Sequence, residues 1–323
     1  MATPLVRLTT ALLAVATAAG LAVVPPAAAR PDDGAVTSVR LGQLDRGPGP
    51  AVPRVVGTSI VEGDRVVAVD ADEVQLLGVS GAEYVASIYS AEGSSVERVA
   101  ADGTRTVVLD RVPFAVALSG DGTQLVTTRP RGTRRTVVAV RDATTGDRVA
   151  RHTFGAGAFV LDADEGRVVV GQTGPERTSS WHVDRDRVTR ISDRTGYAAD
   201  ISADRLAVFT APLYDGGCSV LTRISTPQRA TWRSCERAVL AFSPDGRRML
   251  TTNILMDGPL GQVEVHTARG RRVAAYRSGD SFGVLGWEDA RTALVTVYDR
   301  RGRSALVRCH LTDCERASDV VAP

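Results

Sequence analysis

Residues 241–250 read AFSPDGRRML. An apolar run enters Ser-Pro-Asp-Gly, and a second apolar run leaves it after two arginines. Pro presets φ for the first corner of a turn, Asp can cap the backbone amides that follow, and Gly accepts the left-handed closing position. The stretch is therefore predicted to be a hairpin corner between two strands. It has a close cousin in SGDG at 119–122 and looser ones in LDADEGRVVV (161–170), ISADRLAVF (201–209), GVSGAEYVASI (78–88) and GWEDARTALVTV (286–297). Anchored on Val79, Leu118, Leu161, Ile201, Phe242 and Trp287, these corners recur at steps of 39, 43, 40, 41 and 45 residues. Strand-only units with a period of roughly 40–45 residues are the mark of propeller blades.

The interior of one unit agrees. Between 238 and 281, AVLAF is a short inner strand, RRMLTTNI a second, QVEVHT a strictly alternating third and RRVAAYR an outer fourth. No window carries a sustained helical period with caps. The expectation is an all-β propeller of six four-stranded antiparallel blades, at about 74–113, 114–156, 157–196, 197–237, 238–281 and 282–316. Residues 54–70 are expected to supply a ring-closing strand beside the last blade, or to be what is left of a seventh.

Upstream, Arg7 and the apolar stretch Leu8 to Val24, followed by small residues at Ala27-Ala28-Ala29, read as a signal peptide over 1–29. Residues 30–53, rich in Pro and Gly, read as a linker or loosely docked arm. No other apolar run could span a bilayer, so no membrane insertion is expected after cleavage. Formal net charge is +2, with 39 basic and 37 acidic residues. The two signs interleave along the chain, which argues against nucleic acid as a partner.

Cys218, Cys235, Cys309 and Cys314 are an even set in a chain whose signal peptide implies an oxidising compartment. Three pairings are possible, and strand geometry favours the local one. Cys218 opens the third strand of its blade and Cys235 ends the fourth, while Cys309 and Cys314 flank a tight turn. His152, His182, His266 and His310 are scattered, so neither a metal nor another cofactor is expected.

AFSPDGRRML resembles the F-S-P-D-G motif of TolB-type and WD-repeat-like β-propellers, and the likeness extends over about residues 74–316. In those families the turn is structural, which gives Ser243, Pro244, Asp245 and Gly246 a folding role. The paired Gly-His and Trp-Asp of true WD repeats are missing. The TolB-type likeness implies an extracytoplasmic protein that binds other proteins.

Two motifs carry a hint of chemistry. GDSFG at 279–283 matches G-x-S-x-G, but the nucleophile elbow needs a helix after the serine, and VLGWED reads as a strand. It is therefore expected to be a loop between blades, with Ser281 not a nucleophile. LDADEG at 161–166 matches the start of a calcium loop but lacks the distal ligands and occupies a turn position.

The loops between second and third strands, and those between blades, open on one side of a propeller. Their Arg, Tyr and Asp residues are the binding candidates: Arg131, Arg177, Tyr197, Tyr214, Asp215, Asp257 and Asp280. Aromatic and arginine side chains are favoured at interface hot spots. The functional expectation is a secreted, monomeric, non-enzymatic binding module for a protein or cell-envelope component. A propeller-type hydrolase or lyase with a channel-mouth site, and a structural scaffold of the envelope, are the alternatives.

Overall fold

The computed structural model of the chain describes residues 36–113 and 115–322. The signal-peptide reading of 1–29 lies outside these residues. Strand β1 (Val36–Val39) comes first. Strands β2 (Arg54–Val56), β3 (Ser59–Glu62) and β4 (Arg65–Ala68) then form one sheet. A second sheet holds β5 (Glu73–Ser80), β6 (Glu83–Ser90), β7 (Gly93–Val99) and β8 (Arg105–Leu109). Strands β9 (Ala115–Leu118), β10 (Gln124–Arg131) and β11 (Arg135–Asp142) pair on to the first half of β12 (Arg148–Asp164). The second half of β12 opens the next unit with β13 (Arg167–Gly174), β14 (Glu176–His182) and β15 (Arg187–Ser192). A four-stranded sheet follows: β16 (Gly196–Asp200), β17 (Arg205–Phe209), β18 (Ser219–Thr222) and β19 (Trp232–Ser234). Strands β20 (Arg237–Phe242), β21 (Arg248–Asn253) and β22 (Leu260–Thr267) lead into β23 (Arg272–Trp287). Like β12, β23 serves two units, the second completed by β24 (Thr292–Tyr298), β25 (Ser304–His310) and β26 (Asp313–Arg316). No α-helix occurs among the described residues.

Each unit buries its faces against its neighbours. Val85, Val96 and Leu125 join the second sheet to the third unit, and Val138, Phe154, Val168 and Trp181 join the two units that share β12. Val169, Leu206 and Val220 make the next junction, and Leu221, Val239 and Met249 the one after. At the far end Val52 and Val56 pack on Leu294 and Leu306, so the start of the fold lies against its last unit.

The opening decapeptide is the predicted corner, between β20 and β21. Ser243 Oγ donates to Asp245 Oδ1 (2.7 Å) and accepts from the Arg248 amide (2.9 Å), while Gly246 N–H bonds back to the Ser243 carbonyl (2.7 Å). Ser119, Asp121, Gly122 and Gln124 repeat this network. Gly246 (φ 61°) is needed twice over, since a Cβ there would also stand 2.7 Å from Ala203 Cβ of the preceding unit. A second repeated device was not visible in the sequence. The first strands β5, β16 and β20, and the part of β12 that begins its second unit, each carry a register break, at Leu76/Gly78, Gly196/Ala198, Val239/Ala241 and Val160/Asp162. The extra residues, Leu77, Tyr197, Leu240 and Leu161, all pack into the junction clusters.

Two expectations are corrected. Residues 54–68 do not add a strand to the last unit but form a three-stranded sheet of their own, because two tight glycine turns (Gly57 and Gly63, both positive φ) fold the segment on itself. The 30–53 arm is not loosely docked over its described part. Strand β1 pairs in parallel with residues 275–278 of β23, and Val39 and Leu41 are buried in the last junction core.

The cysteines pair locally as expected, Cys218 with Cys235 and Cys309 with Cys314. The second bridge joins directly opposed residues of β25 and β26. Replacing Cys309 and Cys314 by Ser together should cost about 2 kcal/mol in denaturant unfolding, the value for closing so short a loop. A change below about 0.5 kcal/mol would show that the β25–β26 hairpin holds without the bridge.

Candidate functional site

The seven binding candidates do not converge. The tertiary structure brings two of them together. Tyr214 lies in the 3-10 turn Leu213–Asp215 between β17 and β18, and is 73% exposed. Its hydroxyl donates to the Asp257 carboxylate in the β21–β22 loop of the next unit. This bond raises the Tyr214 pKa, since the carboxylate favours the protonated phenol. Leu255, on the same loop as Asp257, is 51% exposed, and the Asn253 side chain caps its amide (2.8 Å). Asp215 is exposed beside Tyr214. Neighbouring loops thus present an aromatic ring, an aliphatic side chain and two carboxylates to solvent, in loops set by flanking strands that are themselves buried.

The other four stand elsewhere. Arg131 is exposed at the end of β10, in a hairpin tighter than the predicted loop. Arg177 lies within β14 and not in a loop, because residues 173–180 belong to two strands joined at Pro175. Asp280 is exposed but sits on the continuous strand β23. Tyr197 is not a loop residue at all. It is the bulged residue of β16, the counterpart of Leu77, Leu161 and Leu240. Its ring stacks on Phe209 at 3.9 Å. Its hydroxyl contacts Ser219 Oγ and accepts from the Val239 amide (3.0 Å), and burial pushes its pKa up to about 12. Tyr197 therefore pins three strands together and has no hydroxyl left for a ligand.

Beneath the 253–257 loop lies a cleft of about 240 Å³ lined by Arg237, Thr252, Asn253, Met256, Gln262 and Glu264. Sequence reasoning missed Glu264. The alternation of QVEVHT predicts a half-buried strand, but Val263 to His266 are buried on both faces. The Glu264 carboxylate takes bonds from Arg237 (2.7 Å), Gln262 (3.0 Å) and Arg272 (3.4 Å), with His266 Nε2 at 3.7 Å. Burial alone would raise the Glu264 pKa; the Arg237 guanidinium overrides it and holds the carboxyl below the usual range. A carboxylate this well compensated stays ionised and is a poor proton donor at neutral pH. The signal available in the sequence was a pair of polar side chains, Glu264 and His266, on one face of a strand whose other face carries Val263 and Val265.

Ser281 pairs with Tyr298 inside β23, not in a loop between blades. No imidazole or carboxylate bonds to its hydroxyl among the described residues. Glu165 and Gly166, both at positive φ, make LDADEG a tight β12–β13 turn. No group of three or more His, Cys, Asp or Glu side chains is placed to hold a metal among the described residues.

The sequence matches no protein-family model and no curated protein. Solved structures do match. The Swd1 β-propeller domain of Myceliophteria thermophila aligns with TM-score 0.53 at 10% identity over 85% of this chain and 89% of that one. The β-propeller domain of the trilobed protease from Pyrococcus furiosus, described as having an open velcro topology, aligns with TM-score 0.50 at 11% identity over 77% and 84%. TolB from Acinetobacter baumannii aligns with TM-score 0.47 at 15% identity over 66% and 57%. Taken with the sequential sheets, the first two matches make this chain a β-propeller.

Proposed function

We propose that the protein is a secreted, non-enzymatic β-propeller of seven blades that binds another protein through the Tyr214–Leu255–Asp257 face. Seven counts the three-stranded sheet of 54–68 as a blade, packed by Val56 on the last unit and by Ile60 and Val67 on the second. The observation that carries the binding reading is the exposure of Tyr214 and Leu255 on neighbouring loops. Large apolar side chains held out in solvent on well-ordered supports are what interface hot spots use. The two disulfides suit an extracytoplasmic compartment.

A photo-crosslinking p-benzoylphenylalanine at position 214, in protein made by its own host, should give a discrete protein adduct. The same group at Val188, also exposed but on the outer strand β15, should not. Equal adducts at both positions, or none at 214, would overturn this face. A fluorophosphonate probe should leave Ser281 unlabelled; stoichiometric labelling would restore the hydrolase reading.

A further inference from the structure

The basic residues between 111 and 151 alternate with other types along the chain, but the fold gathers them. On the β10–β12 face turned toward β8, register places Arg129 beside Val137, Ala139 beside Arg151, and Arg141 beside Arg148. Arg131 extends the first row, and Arg111 faces them from the segment after β8. These six arginines line one groove, in which Asp110 is the single acid. The floor is apolar, lined by Val108, Leu109, Val112 and Ala139, of which Leu109 and Val112 are partly exposed. Arg141 donates to the Gly146 carbonyl (2.8 Å). Arg111, Arg129, Arg131, Arg148 and Arg151 are exposed, and no ion pair or hydrogen bond links their side chains to any described residue. Other arginines sit against carboxylates, as at Arg105–Glu97, Arg237–Glu264 and Arg308–Glu288. Five unpaired guanidiniums in one groove of a chain with net charge +2 are therefore a local excess.

We infer that this groove between the second and third sheet units binds an extended acidic segment of a partner protein. Successive arginine rows lie two residues apart along the strands, roughly 6.6 Å. Alternate side chains of an extended peptide repeat at the same interval, so Glu or Asp at every second position can meet one row each. Guanidinium forks hold carboxylates bidentately. The apolar floor distinguishes this occupant from a bare polyanion, since it accepts Leu or the methylenes of Glu and gives nothing to a chain of phosphates.

The inference rests on the protein-binding reading but uses a different surface. The probe is a fluorescein-labelled dodecapeptide of alternating Glu and Leu, followed by anisotropy on the intact protein. The double variant Arg129→Gln/Arg151→Gln should weaken binding at least about 10-fold, and so should replacing every Glu of the peptide by Gln. Arg187→Gln, at an exposed site on β15, should leave affinity within about twofold. Both variants replace exposed side chains, and an unchanged unfolding midpoint confirms their folding. Unaltered peptide affinity in the double variant would overturn the site. Inorganic polyphosphate binding as tightly as the peptide, with Leu replaceable by Ser at no cost, would overturn the peptide as occupant. Either result alongside an intact adduct at position 214 would remove the groove alone and leave the Tyr214 face standing.

Discussion

Replacing Arg308 by Met should destabilise the protein by about 3–5 kcal/mol, the cost of leaving a buried carboxylate without its partner. Arg308 lies on β25, and its guanidinium grips both Glu288 oxygens while also donating to Glu315 (3.0 Å). Burial would raise the Glu288 pKa, and the bonds from Arg308 override that and keep it low. The same guanidinium donates to the carbonyls of Pro48 (3.2 Å) and Gly49 (2.9 Å), and Glu288 accepts from the Ala51 amide (2.5 Å). These bonds tie the chain entering the first sheet to the last unit. No strand of 54–68 pairs with β24–β26, so side chains and packing perform the joining that strand exchange would otherwise supply. Chemical denaturation measures the loss. Trypsin adds a local readout, since cleavage at Arg46 and Arg54 should accelerate before global unfolding. Adding Glu288→Gln to Arg308→Met should restore part of the stability by removing the stranded charge. A single-variant loss under about 1 kcal/mol would mean that packing of Val52 and Val56 holds this junction unaided.

Asp162 gives the second large effect, with the opposite sign. It is half-buried on β12 at the junction with β16, where its carboxylate accepts from the Ile201 amide (2.6 Å). Burial raises its pKa to about 6, with Asp200 and Asp164 adding like charge. Because the folded pKa lies above the unfolded value, the folded state holds a proton that the unfolded chain has lost between about pH 4 and 6. Stability from this site is therefore complete below pH 4, falls as pH rises to 6, and stays reduced above it. The penalty at neutral pH is about 2–3 kcal/mol, allowing for partial exposure. Asp162→Asn keeps an acceptor for Ile201 and cannot ionise. It should raise stability at pH 7.5 by about that amount and flatten the pH 4–6 slope. Unfolding curves across that range decide it; a variant equal to or less stable than the parent at pH 7.5 would show that the ionised carboxylate is well accommodated.

The repeat was readable because its parts are local. A turn such as SPDG needs only the residues inside it, and a strand shows its period over six or eight. The disulfide pairing followed for the same reason, since each bridge closes a single hairpin. The three-stranded sheet at 54–68 escaped because its corners are short glycine turns unlike SPDG. Tyr197 was misplaced because its chemistry suggested a ligand contact, while its position in the repeat is that of Leu77 and Leu161.

Sequence alone thus determined the strand-only unit, its period, the corner in AFSPDGRRML and the local cysteine bridges. Only the tertiary structure decided how the start of the fold meets its end, where Tyr214 meets Asp257, and that six arginines dispersed over 111–151 share one groove. The physical reason is range. Turn chemistry and alternation act within a few residues, whereas charge pairing and side-chain exposure depend on which strands the fold lays side by side, and Arg308 reaches residues some 260 positions away.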